Sequence, residues 1–210
     1  MTFGESSEQG LTRGRNFYHT GLGIALTAPK GWKIRNSPDA VMLLDANADA
    51  GLLLKAVPPN AGGTHEEIIR NLFQPDQDQV QRYALSGLAA THFIGVRTDE
   101  QGRTQNIETA IVTGPKNLHY ALAYASKSPQ ALTNARSGLC AAEGSFRALT
   151  AADRKAVQPW TLHVVKAPAG GLRDLAQSTP LSDYPEQQLR LLNGFYGGGE
   201  AKAGSLVKTV

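Results

Sequence analysis

The 210-residue sequence is poor in cysteine, in aromatic residues and in long apolar runs. Cys140 is its single cysteine, so neither an internal disulfide nor a metal site of several cysteines can be drawn from it. No apolar run approaches the roughly 20 residues that span a membrane. No apolar block follows the N-terminus, as a signal peptide would require. We therefore expect no transmembrane segment.

The sequence also lacks a strong charge of either sign. Its 21 basic and 18 acidic residues leave a formal net charge of +3, and no basic stripe is interleaved with aromatic residues. We therefore expect no nucleic-acid partner. Short catalytic motifs are missing too, because the sequence has no Gly-x-Ser-x-Gly elbow and no phosphate-binding Gly-Lys-Ser loop.

Residues 1–15 are polar and have no hydrophobic period, which predicts a flexible lead-in. After them, strands are predicted by apolar segments at 22–29, 32–34, 40–44, 51–57, 88–96, 107–111 and 118–125. Thr64 and Glu67 have the spacing of a capping box, which predicts the start of a short helix. Asp99 to Gly102 predicts a hairpin turn.

Apolar residues spaced three and four apart predict a helix over residues 129–146. Cys140 lies within this helix, and we expect it to be a small buried residue. The strand over 118–125 has large residues on one face and alanines on the other, so we expect its alanine face to press against this helix. Residues 16–149 are thus predicted to form one α+β domain, an antiparallel sheet packed by helices.

Residues 150–159 are predicted to be a linker, and residues 160–210 a small βααβ module. The module begins with an alternating strand at 161–165 and turns at Pro168 to Gly171. Helices follow over 172–176 and 185–192. The second helix is expected to end at Asn193 and Gly194, where glycine tolerates the left-handed conformation. A strand over 205–210 closes the module, whose pattern resembles a LysM module.

Family resemblance covers nearly the whole chain from about residue 8. The similar residues are 14–24, 28–32, 145–150, Pro159, Val164, Val165, 191–194, Val207 and Lys208. In order and spacing they resemble the C-terminal, non-catalytic region of bacterial HtpX-like (gluzincin) Zn-dependent proteases. The Ala-Pro-Lys-Gly-Trp turn at 28–32 is also similar to the PsbP-like α+β fold. The resemblance implies a cell-envelope or periplasmic location, with the peptidase domain or an envelope protein as partner.

The chain departs from that family in its metal motif. Those proteases bind zinc through His-Glu-x-x-His, whose glutamate activates a water. Here the only His-Glu pair is His65-Glu66, and Ile69 stands where the second ligand belongs. We therefore expect no catalytic residue, metal or cofactor in this chain, with zinc only in a peptidase domain outside these residues. The other histidines, His19, His92, His119 and His163, are expected to be hydrogen-bonded or at the surface.

The resemblance to LysM modules implies a glycan site between two loops of the tail, residues 168–172 and 193–203. LysM modules hold chains that contain N-acetylglucosamine, which makes peptidoglycan a candidate ligand. The candidate glycan or partner residues are Gly170, Gly171, Leu172, Asn193, Gly194, Phe195 and Tyr196, of which the two aromatic residues could stack on sugar faces. The family's Gly-Asp-Thr turn is replaced here by Ala169-Gly170-Gly171, so a purely structural tail is the alternative.

Two hypotheses for the whole chain follow. The first is a non-catalytic accessory region of a cell-envelope zinc metalloprotease-like protein, which positions a substrate or partner. The second is an independent small-ligand-binding or enzymatic domain with its own cleft. A cleft lined together by His92, Arg97 and Glu108 would favour the second hypothesis.

Overall fold

The structure, a computed structural model, describes residues 2–3, 10–157, 160–181 and 184–210. The strands in chain order are β1 (Thr2–Phe3), β2 (Leu11–Arg13), β3 (Asn16–His19), β4 (Ile24–Thr27), β5 (Lys33–Asn36), β6 (Val41–Leu44), β7 (Ala50–Ala56), β8 (Gln77–Leu85), β9 (Leu88–Thr98), β10 (Thr104–Thr113), β11 (His119–Ser126), β12 (Arg147–Ala148), β13 (Trp160–Thr161), β14 (His163–Lys166) and β15 (Leu206–Thr209). The helices are α1 (His65–Ile68), α2 (Pro129–Gly144), α3 (Ala151–Ala156), α4 (Gly171–Ser178) and α5 (Pro185–Leu192), and a π-helical turn (Ile69–Phe73) follows α1.

Contacts divide the chain into two compact units, a larger one within residues 7–157 and a smaller one that joins β1 to residues 158–210. The larger unit has a seven-stranded sheet in the order β5-β6-β7-β11-β10-β9-β8 and a four-stranded sheet in the order β12-β4-β3-β2. Neighbouring strands in both sheets are antiparallel. The predicted α+β class, with antiparallel sheets and helices, is therefore confirmed.

Helix α2 packs against the large face of β11, not against its alanine face as predicted. Tyr120 and Leu122 are buried in one cluster with Leu139 and Phe146 of the helix region. The helix itself supplies small residues to this contact, including Ala135. Large strand residues therefore fill the space that the small helix residues leave.

The alanine face of β11 meets the other helical segment. Ala121 packs against a buried cluster that includes Ile68 of α1 and Ile69 of the π-helical turn. This helix begins with the predicted capping box, since the Thr64 side chain accepts from the Glu67 amide and the Glu67 side chain accepts from the Thr64 amide. The seven-stranded sheet is thus covered by helical segments on both faces.

Cys140 is exposed, so its predicted burial is wrong. The buried residues of α2 are Ala135, Leu139, Ala142 and Glu143. Cys140 follows Leu139 directly, and successive residues of a helix are turned by about 100° from each other, which takes Cys140 off the buried stripe.

Two segments that were predicted to be irregular have regular structure. Leu11–Arg13 of the predicted lead-in pairs with β3, because Leu11 has a buried place in a small cluster with Tyr18 and Val157. Ala151–Ala156 of the predicted linker forms α3, which a Thr150 and Asp153 capping box begins. Residues 1 and 4–9 of the lead-in, and 158 and 159 of the linker, lie outside the described residues.

In the smaller unit β1 pairs with β13, and the chain from β14 onward follows the order strand, helix, helix, strand. Strands β14 and β15 pair antiparallel, and a small core forms around Leu172, Leu189 and Val207. Helix α5 ends where predicted, with Gly194 in the left-handed region at φ 77°.

Candidate functional site

The half-buried His92 of β9 lies between two carboxylates. Its Nδ1 is 3.0 Å from Glu143 Oε2, and its Nε2 is 3.1 Å from Glu108 Oε1. The exposed fractions of the three side chains are 20% for His92, 11% for Glu143 and 8% for Glu108. Because ionised carboxylates only accept hydrogen bonds, both ring nitrogens must donate, and this requires the positively charged imidazolium.

Three elements bring these groups together. In the β9–β10 pairing Ala110 is opposite His92, so Glu108, two residues away, lies on the same face as a diagonal neighbour. Glu143 comes from the last turn of α2, where it lies on the buried stripe. Only the packing of α2 on the sheet places its carboxylate against the ring.

Hydrogen bonding explains the electrostatics of this cluster. The hydrogen bond to Glu143 raises the pKa of His92 above its ordinary 6.5, although burial acts in the opposite direction. Burial acts to raise the pKa of Glu143, but hydrogen bonds from His92 and Tyr83 outweigh it and hold that pKa below its ordinary 4.5. The Tyr83 hydroxyl donates to Glu143 Oε1 at 2.7 Å. Burial, followed by this hydrogen bond, raises the pKa of Tyr83 well above its ordinary value.

An open groove of about 610 Å³ lies beside the cluster. Arg136 of α2 lines it and donates to the Glu108 carboxylate, and its guanidinium carbon is 5.6 Å from the centre of the Tyr124 ring. Ile94, which is 48% exposed, and Leu132 provide apolar surface. The rim is completed by residues 105–107 and 125–129.

The charges of this site balance within it. His92 and Arg136 are cationic, and Glu108 and Glu143 are anionic, so the four groups neutralise each other. Both nitrogens of the imidazolium already donate to carboxylates, which leaves that ring no free nitrogen with which to take a proton from a ligand. The arrangement is suited to holding a ligand by apolar contact and by the exposed part of the Arg136 guanidinium.

Arg97 does not join this site. Together with Asp99, Arg103 and neighbouring residues it lines a separate depression at the end of the β9–β10 hairpin. The proposed cleft of His92, Arg97 and Glu108 is therefore not formed, although His92 and Glu108 do meet. The predicted turn of this hairpin is confirmed by the Gly102 amide, which donates to the Asp99 carbonyl at 2.9 Å.

His65 lies on the opposite face of the sheet and is hydrogen-bonded through both ring nitrogens. Its Nδ1 is 2.8 Å from Thr91 Oγ1, and its Nε2 is 2.8 Å from Thr113 Oγ1. His119 Nδ1 is 3.1 Å from the same Thr113 oxygen. Burial lowers the pKa of His65 below 6.5. These contacts join α1 to β9 and β10.

The remaining two histidines also have local partners. His19 Nδ1 accepts from the Leu22 amide at 3.3 Å. His163 is exposed, and its Nε2 is 3.0 Å from Thr161 Oγ1. The expectation that His19, His92, His119 and His163 are hydrogen-bonded or at the surface is confirmed. Within the described ranges, no group of three or more His, Cys, Asp or Glu side chains could hold a metal ion.

Of the predicted glycan or partner residues, two line a common groove in the tail. Gly170 and Gly171 border an open space of about 460 Å³, whose charged lining residues are Arg173, Glu186 and Glu200. Leu172 lies next to them in sequence, but its side chain is completely buried in the core of the smaller unit. It stabilises the unit and does not face the groove.

Asn193 joins the end of α5 to β15. Its Nδ2 donates to the carbonyls of Leu189 and Lys208 at 2.9 and 2.8 Å, and its Oδ1 accepts from the Lys208 amide at 2.7 Å. A side chain with three backbone partners has few groups left for a ligand. Asn193 therefore has a structural position.

The rest of the second loop is divided between core and solvent. Gly194 turns the chain at the end of α5, and Phe195 packs against the core of the smaller unit. Tyr196 is 80% exposed. Of the two predicted aromatic residues, Tyr196 is the one with an exposed ring.

A smaller pocket of the larger unit lies beneath the loop between β5 and β6. It has a volume of about 100 Å³, and Phe17, Val41, Leu54 and Tyr120 are among its lining residues. Tyr120 is 1% exposed, and its hydroxyl has no hydrogen-bond partner among the described residues. Burial raises the pKa of Tyr120 to about 12. The pocket therefore combines apolar side chains with polar ones, among them His19, Ser37 and Asp39.

Sequence reasoning missed Glu143, Arg136 and Tyr124. A signal for Glu143 was present, because an acidic residue between Ala142 and Phe146 interrupts the apolar stripe of α2. A buried acid needs a partner. The sequence did not show that this partner is His92, 51 residues earlier.

No described helix is both long and apolar enough to cross a membrane. No family model matches the chain, and no curated protein matches it. Among solved structures, the chain is similar to cyanobacterial PsbP (CyanoP) from Synechocystis sp. PCC 6803, with 13% identity and a TM-score of 0.41 over 70% of this chain and 98% of that one. It is also similar to LpqN, a protein involved in cell envelope biogenesis of Mycobacterium tuberculosis, with 12% identity and a TM-score of 0.40 over 60% of this chain and 83% of that one.

Proposed function

We propose that this chain is the non-catalytic accessory region of a cell-envelope zinc metalloprotease-like protein in the periplasm or envelope. In this proposal it holds an extended segment of a substrate or partner protein, and zinc belongs to a peptidase domain outside these residues. The main support within the structure is the open groove of about 610 Å³ beside Glu108 and Arg136. The resemblance in sequence to the HtpX-like family and to the PsbP-like fold is the second support.

The groove suits an unfolded peptide for two reasons. Ile94 and Leu132 give it apolar surface that a peptide side chain can cover. The Arg136 side chain is 45% exposed although it is paired with Glu108. Its remaining N–H groups can donate to a peptide carbonyl. Such contacts do not depend on one particular sequence, which fits a region that positions many substrates.

Binding of a fluorescein-labelled, carboxymethylated casein, measured by fluorescence anisotropy, tests this proposal. We expect the native chain to bind and Ile94→Lys to bind at least tenfold more weakly, since the new charge would have to be desolvated in the groove. Val164→Lys is the matched control, because Val164 is an exposed valine of the smaller unit. Equal binding by the two variants, or none by the native chain, would refute the peptide groove.

For the smaller unit we propose a LysM-like fold and binding of peptidoglycan glycan chains. The polar groove at Gly170 and Gly171 supports this, because sugar hydroxyls need donors and acceptors such as those of Arg173 and Glu186. Co-sedimentation with insoluble peptidoglycan is the test. Loss of binding in Arg173→Ala/Glu186→Gln would assign the ligand to this groove, and loss in Tyr196→Ala would assign it to the second loop. A native chain that stays in solution would make the tail structural.

The alternative function is binding of a small ligand in the Tyr120 pocket. The buried Tyr120 hydroxyl, which has no partner among the described residues, favours it, since an unpaired buried hydroxyl costs about 1–3 kcal/mol. A small ligand with a polar atom that reaches this hydroxyl would suit a pocket of about 100 Å³. Short alcohols and amides can be screened by thermal shift. Stabilisation that disappears in Tyr120→Phe would support the alternative, and an equal response of both proteins would reject it.

A further inference from the structure

Strand β8 forms one edge of the seven-stranded sheet. It pairs with β9 on one side, and no described residue pairs with its other side. Eight of its nine positions are not buried, and the strand contains no proline, glycine or lysine. Natural proteins commonly protect a long edge strand with proline or lysine, because its free N–H and C=O groups attract another strand.

The hairpin between β8 and β9 determines which backbone groups are free. Leu85 and Leu88 close a two-residue turn in which Ser86 and Gly87 have φ values of 51° and 81°. In such a turn each closing residue donates its N–H to the C=O of the other. From there, hydrogen-bonded and non-hydrogen-bonded residue pairs alternate along the two strands. The odd-numbered residues of β8 therefore bond to β9. The N–H and C=O groups of Asp78, Val80 and Arg82 point away from the sheet.

These three residues also share one face of the sheet, the face that carries α1. Val80 is 50% exposed. The guanidinium of Arg82 is held over this face by Glu66, whose Oε1 accepts from Arg82 Nε at 2.9 Å. An acid, an apolar residue and a base thus follow one another at every second position.

We propose that β8 is the interface at which two copies of this chain pair, antiparallel, around a two-fold axis at Val80. Each Val80 then lies opposite the other Val80, and each Asp78 lies opposite the Arg82 of the other copy. The outward N–H and C=O groups of these residues meet in about six backbone hydrogen bonds between the copies. A two-fold axis requires this self-complementarity, because the same patch is used twice.

The register follows from the charges. If the second strand moves by two residues in either direction, Val80 faces a charged side chain and both Asp78–Arg82 pairs are lost. If it moves by four residues, Asp78 faces Asp78 or Arg82 faces Arg82, and like charges directly opposite each other are destabilising. Only the register centred on Val80 pairs all three residues favourably.

The interface is tested by charge exchange, with sedimentation velocity at about 5–500 µM, a range that covers weak association. We expect the native chain to dimerise. Asp78→Lys and Arg82→Glu should each weaken the dimer at least tenfold, because each homodimer then contains two like-charge contacts. An equimolar mixture of the two variants should form a heterodimer, in which both contacts are again between opposite charges. Asp39→Lys is the matched control on an exposed loop and should dimerise like the native chain.

A backbone variant keeps the test independent of the charges. Val80→Pro removes an N–H that points away from β9, and proline is tolerated on the open side of an edge strand. We expect Val80→Pro to keep the native circular dichroism spectrum and to lose the dimer. A native chain that is monomeric at every concentration, an Asp78→Lys variant that dimerises normally, or a mixture without heterodimer would overturn the proposal.

Discussion

Replacement of His92 by glutamine tests the cluster that joins α2 to the sheet. The native imidazolium makes two hydrogen bonds to carboxylates, each worth about 1.5–3 kcal/mol because a charged group takes part. Glutamine can replace one of them with a hydrogen bond from its uncharged amide group, and the site is still 20% exposed. We therefore expect His92→Gln to lower the free energy of unfolding by about 2–4 kcal/mol near pH 6.

The pH dependence of this loss has a definite sign. The pKa of His92 is raised in the folded state, so its contribution is complete below the ordinary value of 6.5 and is lost as the pH rises through the folded pKa. The pKa of Glu143 is lowered, so its contribution is complete above 4.5 and is lost as the pH falls through the folded pKa. The difference between native and variant should therefore be largest between pH 4.5 and 6.5 and shrink on both sides.

Urea unfolding followed by circular dichroism, at several pH values from about 4 to 9, measures this difference. His163→Gln is the control, because His163 is exposed in the smaller unit, and we expect it to change stability by less than about 0.5 kcal/mol. A constant difference between native protein and His92→Gln across this range would refute an imidazolium held by two carboxylates. The pH dependence of the native protein's stability is not sufficient by itself. Burial lowers the pKa of His65 and of His19, and these two residues make the stability rise with pH, opposite to the effect of His92.

Three further predictions concern single positions. Cys140 should react with iodoacetamide in the native protein at a rate close to that of the urea-unfolded chain, as mass spectrometry will show; a thiol protected until unfolding would contradict its exposure. Asn193→Ala should destabilise the smaller unit by about 1–3 kcal/mol, because the Lys208 amide and two carbonyls lose their partner; unchanged hydrogen exchange in β15 would argue against this. Thr64→Ala should lower the stability of α1 by about 1 kcal/mol through loss of its N-cap, which faster hydrogen exchange in α1 would show. Thr133→Ala, on the exposed side of α2, is the control and should have a smaller effect.

Interactions over a few residues could be predicted from the sequence. The capping box of Thr64 and Glu67 and the hairpin turn at Asp99 to Gly102 depend on neighbouring backbone groups, so their residue types indicate the geometry directly. The same holds for the end of α5 at Gly194, where the left-handed conformation favours glycine. Helix α2 was predicted because its apolar residues repeat with the period of a helix.

Which surfaces meet was decided only by the tertiary structure. The alternation along β11 is compatible with either face against α2, and the small residues of the helix decide for the large face of the strand. Cys140 misses the buried stripe by one residue, which a pattern of spacings does not resolve.

The charged cluster shows the same division between sequence and tertiary structure. Glu108 and Glu143 follow His92 by 16 and 51 residues in the sequence. Taken alone, each of the three resembles an ordinary polar residue. Their residue types were determined by the sequence. Their partnership exists because the β9–β10 register and the packing of α2 bring a base and two acids together where water is largely excluded, and burial there requires each charge to have a partner.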